Sequence, residues 1–360
     1  MQFKITPNPA ALDEAARAAA MEHPAFGRVF TDHMVTIRWT ADAGWQDAEV
    51  RARAPFQLDP ASAVLHYAQE IFEGLKAYRA GDGGVTMFRP ERNARRFNMS
   101  ADRMGMPEIP EDLFLQACEE LIRIDRAWVP GGDGALYLRP FMFANETFLG
   151  VKPASEFLFC VIACPVGSYF KGGAKPVSVW LSEDFSRAGP GGTGAAKCGG
   201  NYAASLVAQA EAMREGCDQV VFLDAAEHRW VEELGGMNVF FVFEDGSLQT
   251  PPLSGTILPG ITRDSVIQLA KAQGRAVREE RYSIDQWKAD AASGRLREAF
   301  ACGTAAVIVA IGELRSPHHG NFAIGGSQTG PVTAALRDEL VAIQRNKAAG
   351  PEGWVHKVAL

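Results

Sequence analysis

The order of apolar and polar positions divides the chain into short strands and amphipathic helices. Runs rich in β-branched and aromatic residues predict strands at 34–40, 85–89, 135–143, 156–164, 177–181, 219–224, 239–243 and 247–250. A period of 3.6 residues predicts helices at 93–106, 111–128, 201–215, 262–273 and 331–344. In the third of these helices, Leu206, Ala210 and Met213 share one face.

Proline and glycine mark several ends of these elements. The helix at 111–128 follows Pro110 and is closed by the stretch Pro-Gly-Gly at 130–132. Asp245-Gly246 separates two apolar runs and predicts the tight turn of a β-hairpin.

The alternation of strands and helices is irregular, and several strands adjoin hairpins. This pattern favours an α+β fold in two domains over a doubly wound parallel sheet. The stretch 168–176, S-Y-F-K-G-G-A-K-P, has paired glycines and a proline and is the best candidate for a linker. We therefore predict an N-terminal α/β domain at 1–166, an interdomain linker at 167–177 and a C-terminal domain at 178–360.

Composition narrows the classes of partner. The chain has 360 residues, 47% of them apolar, and a net charge of −7. The negative charge argues against a nucleic acid or an anionic membrane as partner, because both require a basic surface. The longest apolar run, 157–165, is too short to span a bilayer, and the first ten residues resemble no signal or transit sequence. We expect a cytoplasmic protein.

The six cysteines suggest neither a metal site nor a disulfide framework. No pair has Cys-x-x-Cys spacing, which argues against a zinc ribbon or a redox pair of that type. Cys160 and Cys164 lie in an apolar run, and we expect them to be core thiols of a strand.

The stretch 189–202, G-P-G-G-T-G-A-A-K-C-G-G-N-Y, places one lysine, Lys197, among many glycines. A lysine amine can bond covalently to an aldehyde cofactor. A Walker phosphate loop needs adjacent Gly-Lys followed by Ser or Thr, whereas two alanines separate Gly194 from Lys197 and Cys198 follows it. The dinucleotide fingerprint fails too, because Lys197 occupies the place of its third glycine. A catalytic amine and a flexible surface loop with a solvated lysine both remain open.

Other segments supply groups that a phosphorylated aldehyde would need. The segment L258-P-G-I-T-R opens a helix, whose N-terminus attracts anions. The segment G303-T-A-A is a second turn of small residues with a hydroxyl, and Arg89 could add a bidentate charge. Glu232 and Glu233 precede paired glycines, either as a solvated pair or with one carboxylate buried.

Taken together, these motifs resemble the branched-chain amino-acid aminotransferases, which are class IV aminotransferases of fold type IV that use pyridoxal 5′-phosphate. The matching segments occur in the family's order and are H66-Y-A-Q-E-I-F-E-G-L-K-A-Y, F88-R-P-E-R-N, Y137-L-R-P, C164-P-V-G-S-Y-F, G192-T-G-A-A-K-C-G-G-N-Y, E233-L-G-G-M-N, L258-P-G-I-T-R and C302-G-T-A-A. The resemblance implies a smaller N-terminal α/β domain and a larger C-terminal pseudo-barrel domain that binds the cofactor.

The resemblance also implies the residues that bind the cofactor. Lys197 would hold pyridoxal phosphate through a Schiff base and move the proton of the substrate Cα. Glu233 matches the glutamate that keeps the pyridine nitrogen protonated, so that the ring can accept electrons. Tyr202 matches the tyrosine that hydrogen-bonds the phenolic oxygen. The phosphate cup corresponds to Arg89, Gly260, Ile261, Thr262, Gly303 and Thr304.

For the substrate, the resemblance implies a pocket with aromatic walls, which suit a branched aliphatic side chain. The matching residues are Tyr67, Phe72, Tyr137, Arg139, Tyr169, Thr304 and Ala305. Arg139 could receive the second carboxylate of glutamate. Leu149 and Val151 match a loop that the family donates to the partner subunit, which implies a homodimer.

The predicted reaction is a reversible ping-pong transfer of the amino group between L-leucine, L-isoleucine or L-valine and 2-oxoglutarate. Ala306 and Val309 stand where mammalian members have a Cys-x-x-Cys pair, and Gly236 replaces a threonine, so the chain fits a bacterial type. Alternatives are D-amino-acid aminotransferase, (R)-selective amine transaminase, aminodeoxychorismate lyase and a catalytically inactive homodimeric scaffold.

Overall fold

The structure is a computed structural model that describes residues 1–167 and 175–360. These residues form two compact units. The first unit comprises the described chain up to Gly167, together with Ala196–Gly199 and Ala342–Leu360. The second comprises the remaining described residues. The predicted domain bounds remain a prediction.

Strands occur throughout both units. Those before the undescribed segment are β1 (Lys4–Ile5), β2 (His33–Thr40), β3 (Gly44–Ala52), β4 (Glu70–Phe72), β5 (Leu75–Arg79), β6 (Val85–Phe88), β7 (Ala135–Ala144) and β8 (Glu156–Val166). Those after it are β9 (Val177–Ser182), β10 (Gln219–Leu223), β11 (Val231–Leu234), β12 (Asn238–Phe243), β13 (Leu248–Thr250), β14 (Val277–Glu279), β15 (Leu296–Gly303), β16 (Val307–Arg315), β17 (Phe322–Ala323) and β18 (Val355–Lys357).

Helices alternate irregularly with these strands. They are α1 (Glu14–Glu22), α2 (Ala63–Tyr67), α3 (Pro90–Arg103), α4 (Glu111–Ile124), α5 (Gly199–Ala203), α6 (Leu206–Arg214), α7 (Ile261–Ala272), α8 (Ile284–Ser293) and α9 (Pro331–Gln344), with short 3₁₀ turns at Arg126–Trp128 and Gly325–Ser327. Within the described part of the chain, none of them has the length and apolar character that a bilayer crossing requires.

The first unit is built on one mixed sheet with the strand order β1-β3-β2-β8-β7-β5-β6-β18, and β4 pairs with β7. Helices α3 and α4 cover one face of this sheet. Phe97 and Phe114 on the helices pack against Phe159 of β8, with ring centroids 5.5 and 5.9 Å from it. Aromatic contacts of this kind stabilise a core beyond the burial of their area.

The second unit contains a sheet that closes on itself. Its order is β11-β10-β9-β16-β15-β12-β13-β14, and β11 also pairs with β12, so six strands form a ring. Its core includes Phe241, whose ring lies 4.8 Å from that of Trp287 on α8. The prediction of an α+β fold with a barrel-like sheet is confirmed.

Most of the predicted elements are present. Each predicted strand overlaps an observed one, and Gly246 has the positive φ of 76° that the hairpin turn requires. Cys160 and Cys164 are buried in β8, as expected. The helix predicted at 93–106 begins earlier, at Pro90, because proline is favoured in the first turn of a helix.

The single helix predicted at 201–215 is wrong. The segment forms two helices, α5 and α6, and the face of Leu206 and Met213 is exposed. The buried residues of α6 are Ala208 and Ala212, which pack in a cluster with Phe222. Small side chains allow this face of the helix to approach the sheet closely.

Candidate active site

Lys197 is held by its backbone in the first unit. The short segment Ala196–Gly199 belongs to that unit. The Lys197 N–H donates to Ser100 Oγ at 2.9 Å, and the Lys197 carbonyl accepts from the Phe72 N–H at 2.9 Å. Ala196 and Cys198 on either side are buried in the hydrophobic core. A backbone fixed in this way is not that of a flexible surface loop.

The segment is closed by a tight contact between Gly199 and Glu70. The Gly199 N–H donates to Glu70 Oε1, and a Cβ at Gly199 would collide with the same carboxylate. A larger residue at this position would therefore displace the Glu70 carboxylate. Burial raises the pKa of Glu70, and the Gly199 N–H and the charge of Arg139 partly offset that rise.

The side chain of Lys197 points to an aromatic ring that it shares with an arginine. Its Nζ lies 4.8 Å from the centroid of the Phe72 ring, and the Arg139 Cζ lies 4.8 Å from the same centroid. Arg139 Nη2 also donates to the Tyr137 hydroxyl at 3.1 Å. The structure thus brings together three of the predicted substrate residues, Phe72, Tyr137 and Arg139, beside Lys197.

A buried carboxylate, Glu73, adjoins this group and was not predicted as a site residue. It accepts from Arg96 Nε at 2.7 Å and Nη2 at 2.9 Å, from Asn93 Nδ2 at 2.7 Å and from the Gly74 N–H at 3.0 Å. Burial alone would raise the pKa of Glu73, but the charges of Arg96 and Lys197 and the bonded donors hold that pKa below its usual range. The motif E70-I-F-E73 was a possible signal, because it places two carboxylates around an apolar pair.

Arg89, predicted to bind phosphate, is buried in the first unit. It precedes α3 with a positive φ of 48°, a conformation that is uncommon for any residue but glycine. Its guanidinium lies 4.8 Å from the centroid of the Trp354 ring, and the backbone N–H of Arg89 donates to the Trp354 carbonyl at 2.9 Å.

The other predicted residues of the first unit lie around a neighbouring loop. The Tyr67 hydroxyl donates to the Leu149 carbonyl, and the Tyr67 ring stacks on Phe148 with centroids 6.2 Å apart. The side chains of Leu149 and Val151 are exposed, at 67% and 91%. Tyr169 lies outside the described residues.

In the second unit, Glu233 on β11 is an anchored, buried carboxylate. Arg187 Nη2 lies 2.5 Å from its Oε1, the Leu258 N–H donates to Oε1 at 3.0 Å, and Asn238 Nδ2 donates to Oε2 at 3.2 Å. Of the two possibilities for this acidic pair, the solvated one is therefore wrong. Three donors therefore fix the orientation of the Glu233 carboxylate.

Arg187 was not predicted, and a lone arginine before a glycine-rich stretch gives no clear signal. It is buried and also donates to the carbonyls of Gly194 at 3.1 Å and Thr256 at 2.6 Å. Thr256 in turn donates its hydroxyl to Glu232. Burial raises the pKa of Glu232, against the opposing effects of Thr256 and Arg187.

The N-terminus of α7 packs against Asn238, the asparagine that donates to Glu233. Gly260 precedes the helix, and a Cβ at Gly260 would collide with Asn238 Oδ1. Ile261 and Thr262 form the first turn, where backbone N–H groups have no partner within the helix. This arrangement suits an anion.

Gly303, Thr304 and Ala305 lie in the second unit, at the turn between β15 and β16. This turn ends at Val307, whose φ of 62° lies in the left-handed region. A three-residue hairpin loop needs one residue in that region, and a β-branched residue there is strained.

Tyr202 lies on α5 in the second unit. A Cβ at Gly236, three residues after Glu233, would lie 4.0 Å from Tyr202 Cε1, an ordinary van der Waals contact. Asn201 beside it exchanges two hydrogen bonds with Thr193, of 2.7 and 2.8 Å. The two bonds connect Thr193 and Asn201, which lie on either side of Lys197 in the glycine-rich stretch.

The chemistry of these groups fits pyridoxal phosphate. The first unit offers an amine on a fixed backbone and a buried arginine, and the second offers an anchored carboxylate, a tyrosine and a helix N-terminus, which attracts anions. In the described residues, no group of three or more His, Cys, Asp or Glu side chains could hold a metal ion.

Comparison with known proteins gives consistent matches. A family model described as amino-transferase class IV matches residues 70–314. A probable branched-chain-amino-acid aminotransferase of Streptomyces coelicolor is 55% identical over 359 residues, which are 99% of either chain. The crystal structure of the Escherichia coli branched-chain amino acid aminotransferase matches with a TM-score of 0.75 and 28% identity, over 90% of this chain and 99% of that one. The branched-chain amino acid aminotransferase from Thermobaculum terrenum, in its PLP-bound holo form, matches with a TM-score of 0.74 and 25% identity, over 91% and 99%.

Proposed function

This chain belongs to the class IV aminotransferases, and we propose that it transfers the amino group of L-leucine, L-isoleucine or L-valine to 2-oxoglutarate with pyridoxal 5′-phosphate as cofactor. One observation carries the proposal: the amine of Lys197 lies on a fixed backbone, over the ring of Phe72 that it shares with Arg139. The match over 99% of a relative that bears this name supports the choice of substrate.

Bound pyridoxal phosphate would supply an electron-accepting ring for the electrons that remain when the substrate Cα loses its proton. Lys197 would hold the cofactor, and its amine would take and return the Cα proton. Glu233 would accept a hydrogen bond from the ring nitrogen, and Arg187 holds the Glu233 carboxylate in place. Tyr202 would bond the phenolic oxygen. The residues that would hold the phosphate are Arg89 of the first unit and Gly260, Ile261, Thr262, Gly303 and Thr304 of the second.

The substrate residues serve both an apolar and an acidic side chain. The aliphatic side chain of a substrate would contact Phe72, Tyr67 and Tyr137. Arg139 would bind the second carboxylate of glutamate. Arg139 already lies against two aromatic rings and the Tyr137 hydroxyl, so little reorientation is needed to receive an anion. Thr304 and Ala305 bind the α-carboxylate that all these substrates share.

We also propose a homodimer in which Leu149 and Val151 contribute to the partner subunit's site. Both are apolar, and both are more than half exposed within one chain. Large apolar side chains at that exposure are typical of surfaces that contact another protein. Light scattering should give twice the mass of one chain.

Borohydride reduction followed by peptide mass mapping tests the role of Lys197. The cofactor mass should appear on the peptide that contains Lys197, and Lys197→Ala should lose both the label and turnover. Lys271→Ala, which removes an exposed lysine at the end of α7, is the matched control and should keep both. Substantial turnover in Lys197→Ala would contradict the proposal. Half-reactions with D-alanine and an (R)-amine separate the other activities of this fold, and a scaffold would give no labelled peptide.

A further inference from the structure

The C-terminal strand β18 lies beside the start of α3. It pairs antiparallel with β6, and Val355 stands opposite Phe88. Arg89 follows β6 directly, and its backbone N–H donates to the Trp354 carbonyl at 2.9 Å, which extends this pairing by one residue. The last residues of the chain belong to the first unit and bring Trp354 next to Arg89 there.

The backbone of Arg89 adopts a conformation that its sequence does not favour. Its φ of 48° and ψ of 44° lie in the left-handed region, which is uncommon for a residue other than glycine. Pro90 follows, and a residue before proline favours an extended backbone. Such a conformation persists only where the surrounding structure holds it. The contacts that fix Arg89 therefore determine where its guanidinium lies.

Trp354 also contacts Arg89 through its side chain. The Arg89 Cζ lies 4.8 Å from the centroid of the indole ring, within the range of a cation–π contact. Both residues are buried, with exposed fractions of 6% for Arg89 and 4% for Trp354. The Phe88 ring meets the indole edge to face at a centroid distance of 5.4 Å and holds it in one orientation. Contact with an aromatic ring holds a cation without neutralising its charge, which suits an arginine that binds a phosphate.

The strand that follows Trp354 is fastened to two helices. His356 Nδ1 lies 2.8 Å from Glu91 Oε1 on α3, and its Nε2 lies 2.7 Å from Glu119 Oε1 on α4. Hydrogen bonding to Glu91 raises the pKa of His356 to about 9, so at neutral pH the charged imidazole donates to both carboxylates. The place of Trp354 is therefore set by the helices of the first unit.

We propose that Trp354 is a positioning residue for the cofactor phosphate: its indole ring holds the Arg89 guanidinium in the orientation that binds the phosphate of pyridoxal 5′-phosphate. This inference rests on the proposed function, which gives Arg89 its ligand. An effect that acts through Arg89 applies only to ligands that carry the phosphate. Loss of the indole ring should therefore lower affinity in a way that depends on the phosphate group.

The test compares two ligands of the full-length apoprotein: pyridoxal 5′-phosphate, and pyridoxal, which lacks the phosphate. Trp354→Met keeps an apolar side chain but removes the aromatic ring. It should weaken binding of pyridoxal 5′-phosphate about tenfold, the size of one buried cation–π contact, and leave binding of pyridoxal unchanged. Trp354→Phe keeps a ring and should stay within about threefold of the wild type for both ligands.

A double-mutant cycle with Arg89→Met shows whether Trp354 acts through Arg89. Arg89→Met alone should weaken binding of pyridoxal 5′-phosphate and spare pyridoxal. In the Arg89→Met background, Trp354→Met should cost no further affinity. A further tenfold loss there would mean that Trp354 acts independently of Arg89 and would overturn the proposal.

Trp128→Met is the matched control. Trp128 is a buried tryptophan of the same unit, and its indole N–H donates to Asp32 at 2.6 Å. This variant should leave the ratio of the two affinities unchanged, because damage to the fold weakens both ligands alike. If the Trp354 and Trp128 variants change the ratio equally, Trp354 only supports the fold.

A measurement on the unsubstituted side chain decides the matter if Trp354→Met does not fold. In protein labelled with fluorotryptophan, fluorine NMR identifies the Trp354 resonance by its loss in Trp354→Phe. This resonance should differ between the complexes with pyridoxal 5′-phosphate and with pyridoxal, whereas that of Trp128 should be the same in both. Identical Trp354 resonances in the two complexes would overturn the proposal.

Failure of this inference is distinct from failure of the proposed function. An apoprotein that binds no pyridoxal 5′-phosphate would contradict the cofactor itself. Unchanged affinity in Arg89→Met would remove Arg89 from the phosphate site and overturn this inference with it. Weakened binding in Arg89→Met, together with wild-type binding in Trp354→Met, would overturn the role of Trp354 alone.

Discussion

Arg187→Met should be among the most destabilising single changes in the second unit. Arg187 is buried and makes three polar contacts: to Glu233 at 2.5 Å and to the carbonyls of Gly194 at 3.1 Å and Thr256 at 2.6 Å. Methionine fills a similar volume but donates no hydrogen bond. The change therefore leaves the Glu233 carboxylate buried without its cation.

The magnitude follows from burial of both partners, whose side chains are each 5% exposed. Removing one member of a buried ion pair costs about 3–5 kcal/mol, because the remaining charge is uncompensated. Two donors to Glu233 remain, from Leu258 and Asn238, so we expect about 3 kcal/mol. That is a large part of the roughly 5–15 kcal/mol typical of a whole domain.

Urea unfolding followed by fluorescence measures this loss. Arg38→Met is the matched control, because the Arg38–Glu156 pair has a distance of 3.5 Å and side chains 47% and 42% exposed. It should change stability by less than about 1 kcal/mol. Adding Glu233→Gln to Arg187→Met should recover part of the stability by removing the buried charge. If Arg187→Met loses no more than the control, Glu233 is not a buried carboxylate that depends on Arg187.

Two further predictions concern packing and pH. Gly260→Ala should cost about 1–3 kcal/mol in urea unfolding, because its Cβ would displace Asn238, whereas Gly200→Ala, which has open space, should cost less than about 1 kcal/mol. Hydrogen bonding to Glu91 raises the pKa of His356 from 6.5 to about 9. The stabilisation of the fold by protonated His356 is therefore complete below pH 6.5 and is lost as the pH rises through 9. His356→Gln should therefore cost about 1–2 kcal/mol at pH 6, allowing for solvent screening, and almost nothing at pH 10, and equal losses at both would refute the assignment.

Local signals predicted eight of the described strands, whereas others, such as β3, β15 and β16, were not predicted. Strands such as β7 and β8 are long runs of residues that favour strands, and their pattern does not depend on distant neighbours. The face of α6 that packs on the sheet was not predicted from the sequence, for a physical reason. Its stripe of Leu206 and Met213 has helical spacing, but the side that packs on the sheet is set by the small residues Ala208 and Ala212.

The residues of the candidate site divide into those that the sequence predicts and those that it does not. Lys197 and Glu233 stand in motifs of adjacent residues, so the sequence predicts them. Arg187 lies 46 residues before Glu233, and Arg96 lies 23 residues after Glu73. Such pairs are brought together only by the tertiary fold, and a lone arginine in the sequence is more often a surface charge.

Transfer of isotopic nitrogen tests the central claim most directly. The holoenzyme is mixed with L-[¹⁵N]leucine and unlabelled 2-oxoglutarate, and the products are followed by mass spectrometry. The account predicts [¹⁵N]glutamate and 4-methyl-2-oxopentanoate in equal amounts, with no product from Lys197→Ala. Release of the label as ammonia, or no labelled glutamate from any of the three branched-chain amino acids, would contradict it.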